Sequence, residues 1–281
     1  MSWKDLLVAL DPAADTPGRV ELAAALAERF AAHLVGLYAI PSPELPRHAA
    51  YPDLAMLEPM YHEWRERALE QAEAARQDFE HATRPRGLSR EWRAVVEGAA
   101  ANPAMHARCA DLAILGQRDP DNEEMAMYRP SPERVTLATG RPILVVPYAG
   151  HFATLGRQVL IAWNAGREAA RAVADAMPLL TTADRVEVLV VDAPPDADGH
   201  DGVPGADLAR HLARHGVTAR IEPTQSAGVP IGEVILSRAA DLGADLLVMG
   251  AYGHSRAREL LLGGATRSIL ASMTIPVLMS H

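Results

Sequence analysis

The chain has 281 residues, 49% of them hydrophobic and 22% charged, with a net charge of −9; this length exceeds the usual single core, so two domains of an ordinary globular protein are expected. The acidic balance and the lack of any long basic run argue against a nucleic-acid partner, because phosphate backbones are bound by basic surface. No apolar segment nears the roughly 20 residues of a membrane-spanning helix, Met1-Ser2-Trp3-Lys4-Asp5 has no signal-peptide pattern, and the single Cys109 has no partner for an internal disulfide. A cytoplasmic setting without membrane contact is therefore expected, with Cys109 filling a small buried position beside Ala107 and Ala110.

Leu6 to Leu10 reads as a buried strand ending at the carboxylate of Asp11. Pro17-Gly18 open an alanine-rich helix over Arg19 to Ala31, and His33 to Ile40 form a second strand. Prolines at positions 41, 43, 46, 52 and 59 forbid a regular element, so an irregular loop is expected there. Charges and alanines from Met60 to Ala82 fit a long solvated helix with acid and base at one-turn spacings. Trp92 to Glu97 and Ala110 to Leu115 read as the third and fourth strands, with a helix opened by Asn102-Pro103 between them. Ser131-Pro132 have the form of a cap and first residue of another helix, and Ile143 to Val146 is the fifth strand.

The same order then begins again. Gln158 to Trp163 with Asn164 matches the first strand and Asp11, Gly166 to Met177 the first helix, and Val186 to Val191 the second strand. Ala110-Asp111-Leu112 aligns with Ala244-Asp245-Leu246, Gly116 with Gly250 and Pro142 with Pro276, all 134 apart, whereas Asp11 and Asn164 are 153 apart. The first copy thus holds 19 more residues in its middle, assigned to the loop and helix of residues 41–82, which are expected to cover a sheet edge or a partner chain. Strands alternating with helices predict an α/β fold with parallel sheets and helices on both faces, divided into domains of residues 1–150 and 154–281. Each half closes on a strand, Ile143 to Val146 and Val277 to Met279, whose open edge predicts that the halves pair with one another.

The most chemically suggestive stretch is Ala244 to Val277. A short apolar strand, Leu246 to Met249, leads into Gly250 and Gly253, and Gly263-Gly264 stand just before Ala265, Thr266 and Ser268, where a helix is expected ahead of a strand at Ile275 to Leu278. Glycines at a strand end and a helix start let backbone amides approach an anion, so phosphate holding is implied; a purely structural strand-to-helix loop is the alternative. The spacing Gly250-x2-Gly253-x9-Gly263 resembles the nucleotide loop of the universal stress protein family, in which a Ser or Thr usually follows the last glycine; here that position is Gly264.

The resemblance implies two tandem doubly wound domains, each a five-stranded parallel sheet of order 3-2-1-4-5, paired as single-domain members pair in their dimer. It carries phosphate binding to Gly250, Gly253, Gly263, Gly264, Ala265 and Thr266, places Asn164 where the family usually has an Asp near base and ribose, and puts Ala162 and Val190 at the adenine slot. The implied cofactor is ATP, ADP or AMP; the Asn164 amide lacks the charge that would help hold magnesium. In the first half Asp119, Arg129 and Pro130 stand at the positions of Gly253, Gly263 and Gly264, so the loop Gln117 to Pro130 is expected to interact or shield, and a nucleotide is expected in the second half only.

The function implied is a stress-responsive binding or signalling module whose partner is an adenine nucleotide, with a homodimer left open. The alternatives are a nucleotide-independent scaffold and a slow ATPase or self-phosphorylating protein. No nucleophile and base pair supports the last, since Ser255 beside His254 has no orienting acid. Arg256 and Arg258 could meet phosphates or pair with Glu259. His211 and His215, one turn apart with His200-Asp201 upstream, could share a zinc ion or sit at the negative end of an exposed helix; the second reading is the simpler, and no metal is assigned.

Overall fold

In the computed structural model, residues 2–40, 58–96, 102–122, 129–193, 205–253 and 264–281 are described. The strands are β1 (Asp5–Leu10), β2 (His33–Ile40), β3 (Arg90–Val96), β4 (Leu112–Gly116), β5 (Ile143–Val146), β6 (Gln158–Ala162), β7 (Arg185–Val191), β8 (Ala219–Thr224), β9 (Leu246–Gly250) and β10 (Val277–Ser280). The α-helices are α1 (Thr16–Phe30), α2 (Glu58–Thr83), α3 (Pro103–Ala107), α4 (Pro132–Thr139), α5 (Arg167–Leu180), α6 (Ala206–Arg214), α7 (Ile231–Asp241) and α8 (Ala265–Ser272).

The ten strands form one sheet in the order β3-β2-β1-β4-β5-β10-β9-β6-β7-β8. Each half contributes five parallel strands in the expected order, and the halves join edge to edge through an antiparallel β5–β10 pair. In that pair Leu144 lies opposite Leu278, Ile143 opposite Met279 and Val145 opposite Val277. Leu144 and Leu278 are 134 apart, the repeat's own spacing, so the pairing is that of a local twofold axis through these two leucines. A second link falls on corresponding positions, 153 apart: the Arg29 guanidinium donates to the Thr182 hydroxyl, and also to the Leu155 carbonyl at 2.8 Å.

The central strands bury both faces, which is why they read as unbroken apolar runs. Along β1, Leu6, Val8 and Leu10 face the core under α1, α2 and α5, while Leu7 and Ala9 face the core shared by α3, α4, α7 and α8. Register reproduces the repeat: Leu6 pairs with Leu112 as Val159 pairs with Leu246. The Asp of each Ala-Asp-Leu motif has one task, since Asp111 accepts from the Lys4 and Asp5 amides and Asp245 from those of Gly156, Arg157 and Gln158.

The surplus of the first half can be located from the register. Leu34 and Val186, which occupy the same place in β2 and β7, are 152 apart, but their neighbours Arg90 and Ala219 are only 129 apart. The first half therefore has 23 more residues between its second and third strands, and the second half recovers some of them before β9. Much of this length is α2, whose Ala68, Ala72, Ala75, Phe79 and Ala82 form a buried stripe at helical spacing. The stripe packs on α1, β2 and the outermost strand β3, with the Phe79 ring 5.7 Å from that of Trp92. The Pro-rich stretch, residues 41–57, lies outside the described residues. Cys109 departs from expectation: it follows α3 in an exposed turn, because the short helix ends before the sheet can cover it.

Candidate functional site

In the second half, β6 and β9 end side by side, Ala162 opposite Met249. The chain leaves β6 for α5 on one face and leaves β9 toward α8 on the other, which makes the strand ends a topological switch point. Asn164 is exposed and its Oδ1 accepts the Gly166 amide at 3.0 Å, which fixes the turn into α5 with Ala165 left-handed at φ 57°. Tyr252 is also left-handed, at φ 58°, and donates its amide to the Thr266 hydroxyl at 3.3 Å. That bond ties the turn after β9 to the first turn of α8, whose cap residue, Gly264, has no side chain to accept the first amides.

The two described glycines of the turn meet the chain's own atoms. A Cβ on Gly250 would lie 2.4 Å from the Ala169 amide nitrogen and 2.6 Å from the Glu168 carbonyl carbon, so this glycine lets the first turn of α5 sit on the end of β9. Gly250→Ala is accordingly expected to destabilise the chain by about 3 kcal/mol, read as a fall in the urea midpoint. A Cβ on Gly253 would lie 2.8 Å from Glu168 Oε2. Glu168 is buried, and burial pushes its carboxyl up; the hydrogen bond from Arg167 at 2.5 Å, its own amide and the charge of Arg167 outweigh that and hold it below the ordinary carboxylate range.

Asn164, Gly250, Gly253, Gly264, Ala265 and Thr266 thus gather at one end of the sheet. Ala162 shares their region, but Val190 points into the opposite face, and Val191 is the residue of β7 on the side of Ala162. Gly263 lies outside the described residues, as do Arg256, Arg258, Glu259, His254 and Ser255. His211 and His215 stand with ring centroids 4.8 Å apart on and just beyond α6, while His200 and Asp201 are outside the described residues.

The corresponding end of the first half is filled by an ion cluster. Asp11, 3% exposed, accepts from Arg19 at 2.6 Å, from the Arg129 Nε and Nη2 at 3.2 and 3.1 Å, from the Thr16 hydroxyl at 2.9 Å and from the Ala13 amide at 3.1 Å. Asp15, one turn before Arg19 on α1, accepts from both guanidiniums, giving two carboxylates and two cations in one nearly dry cluster. Burial pushes the Asp11 carboxyl up, but Arg19 and Arg129 overcome this and hold it below its ordinary value. A Cβ on Gly116 would lie 2.1 Å from Arg19 Nη1, so the glycine that corresponds to Gly250 here admits an arginine. A cleft of about 110 Å3 remains beside the cluster, lined by Asp15, Arg118, Asp119 and Tyr148 among others.

Sequence reasoning reached Asp11 and Arg129 but missed Asp15, Arg19 and Glu168. The pair Asp15-x3-Arg19, an acid and a base one turn apart where α1 begins, was the available signal for two of these. Among the described residues, no helix is long and apolar enough to cross a membrane.

Residues 157–281 match the family model described as the universal stress protein family. The universal stress protein Slr1230 of Synechocystis sp. is 48% identical over 94 residues, covering 26% of this chain and 32% of that protein, so the match spans about a third of the relative's length. Among solved structures, a universal stress protein from Archaeoglobus fulgidus aligns over 98% of this chain and 95% of its own with a TM-score of 0.72 at 14% identity. A Pseudomonas aeruginosa protein named for the same family aligns over 99% and 93% with a TM-score of 0.61 at 16% identity. The second half of this chain therefore carries a universal stress protein domain, and the chain as a whole has the universal stress protein fold.

Proposed function

We propose that the chain is a cytoplasmic universal stress protein of two tandem domains, residues 1–150 and 154–281, that binds one adenine nucleotide in its second half and serves as a stress-responsive binding and signalling module. The observation that carries this reading is the contrast between corresponding strand ends. Where the first half has Asp11, Thr16, Arg19 and Arg129 locked together, the second has the uncharged Asn164, Ala169, Ala172 and Gly263, and of the cluster only Asp15 has a charged counterpart, Glu168. The amides of Ala265 and Thr266 begin a helix with no side-chain cap, a position whose partial positive charge suits a phosphate. Ala162, Asn164 and the end of β7 would meet base and ribose, with Val191 on the side of Ala162 rather than Val190.

One observation favours a second reading, a nucleotide-independent scaffold: the Glu168 carboxylate lies over Gly253, on the side where phosphates are expected. Calorimetric titration with ATP, ADP and AMP separates the two. Nucleotide binding predicts saturable heat that Gly253→Asp reduces at least about a hundredfold in affinity, because a second carboxylate beside Glu168 repels a polyphosphate by a few kcal/mol. The scaffold reading predicts no heat from either protein.

A further inference from the structure

We propose that Gln117, in the first half, positions the helix on which the second half's nucleotide site is built, so that the two ends of the sheet are mechanically coupled. The proposal rests on the nucleotide reading above for its ligand, and on the following geometry for the coupling. Gln117 directly follows β4 and is 1% exposed. Its Oε1 accepts the Tyr148 amide at 3.3 Å, which leaves Nε2 as the donating end, and Nε2 reaches the carbonyls of Leu270 at 2.9 Å and Ala271 at 3.3 Å. Those carbonyls belong to the last turn of α8, where helical oxygens have no partner within the helix. The Gln117 backbone is held in turn, its amide donating to Val146 at 2.8 Å and its carbonyl accepting from Arg129 of the buried ion cluster.

Because β5 and β10 run antiparallel, the C-terminal strand ends of one half lie at the opposite end of the sheet from those of the other. Gln117 therefore meets α8 at its C-terminal end, and the eight residues of the helix, roughly 12 Å, carry that contact to Gly264, Ala265 and Thr266. The counterpart helix α4 needs no such help: the Ser131 hydroxyl caps its first turn at 3.3 Å and Gly140, at φ 67°, closes its end. α8 has neither device, beginning at Gly264 without a side-chain cap and ending at an extended Met273. The position corresponding to Gln117 in the second half is Ala251, which has no donor to send back to α4. The contact thus exists on one side of the pseudo-twofold only, linking the charged cluster of Asp11 and Arg129 through Gln117 to the phosphate-facing turn.

Gln117→Leu keeps the volume and removes the donor. Measured on the full chain, it is expected to weaken ATP binding about fivefold, the equivalent of one ordinary hydrogen bond, and to speed amide exchange in residues 265–273 by a similar factor while exchange in β1 stays at the wild-type rate. A general loss of packing would instead raise exchange in β1 as well. Gln117→Asn, shorter by one methylene, is read the same way if the leucine variant does not fold. Wild-type ATP affinity together with wild-type exchange in α8 would overturn the proposal. If the unaltered chain binds no ATP, the nucleotide reading fails by itself, and the exchange rates in α8 still decide whether the clamp exists.

Discussion

Arg129→Ala is expected to lower the stability of the chain by about 3–5 kcal/mol, because it removes one of two cations from a buried cluster and leaves two carboxylates to share the other. Asp11 would keep Arg19 and Thr16 but lose two bonds, Asp15 would lose one, and the Gln117 carbonyl would lose its charged donor. The effect should depend on pH in a defined direction. The folded Asp11 carboxyl is held below its value in the unfolded chain, about 3.9, so its contribution is complete above that value and is lost as pH falls through the lower, folded value. Urea denaturation of the wild type should thus show stability falling steeply below about pH 4, with a shallower fall in Arg129→Ala, where one of the two cations is gone. Equal slopes, or a stability change under 1 kcal/mol at neutral pH, would mean that the cluster is solvated and holds nothing in place.

Separating the halves is expected to have the other large effect. Expressed alone, residues 154–281 would present β10 as an open edge lined by Val277, Leu278 and Met279, all fully buried in the intact chain. The register that pairs Leu144 with Leu278 is a twofold pairing, so a half chain can satisfy the same edge with a second copy of itself, each Leu278 opposite the other. Sedimentation should therefore find a homodimer, and residues 1–150 should likewise dimerise through β5 or precipitate. Monomers of both halves that stay soluble at tens of micromolar would show that the β5–β10 edge is dispensable.

How much of this was legible in the sequence differs by element. Strands buried on both faces were readable because nothing polar interrupts them, as in Leu6 to Leu10 and Leu246 to Met249. β8, Ala219–Thr224, was not: it is an edge strand with half-exposed residues and carries Pro223, which an edge tolerates because one side of its backbone needs no partner. The glycine pattern was visible, but sequence cannot say whether a ligand or the chain itself occupies the space above each glycine. At Gly250 it is the backbone of α5, at Gly253 the carboxylate of Glu168, and at Gly116 the guanidinium of Arg19. The repeat exposed Asp119, Arg129 and Pro130 as departures from glycine, yet the closing of Arg129 and Arg19 on Asp11 depends on contacts 118 and 8 residues apart, which only folding brings together.

The claim that one half has kept a nucleotide site while the other has replaced it with its own charges is tested most directly by counting nucleotides per chain. Titrating the full-length protein with ATP in a calorimeter, after mass spectrometry of the denatured preparation for any nucleotide carried through purification, should give one site per chain. Two sites would mean that the cluster of Asp11, Arg19 and Arg129 opens to admit ligand, and no site, with no nucleotide carried through, would mean that the second half is closed as well.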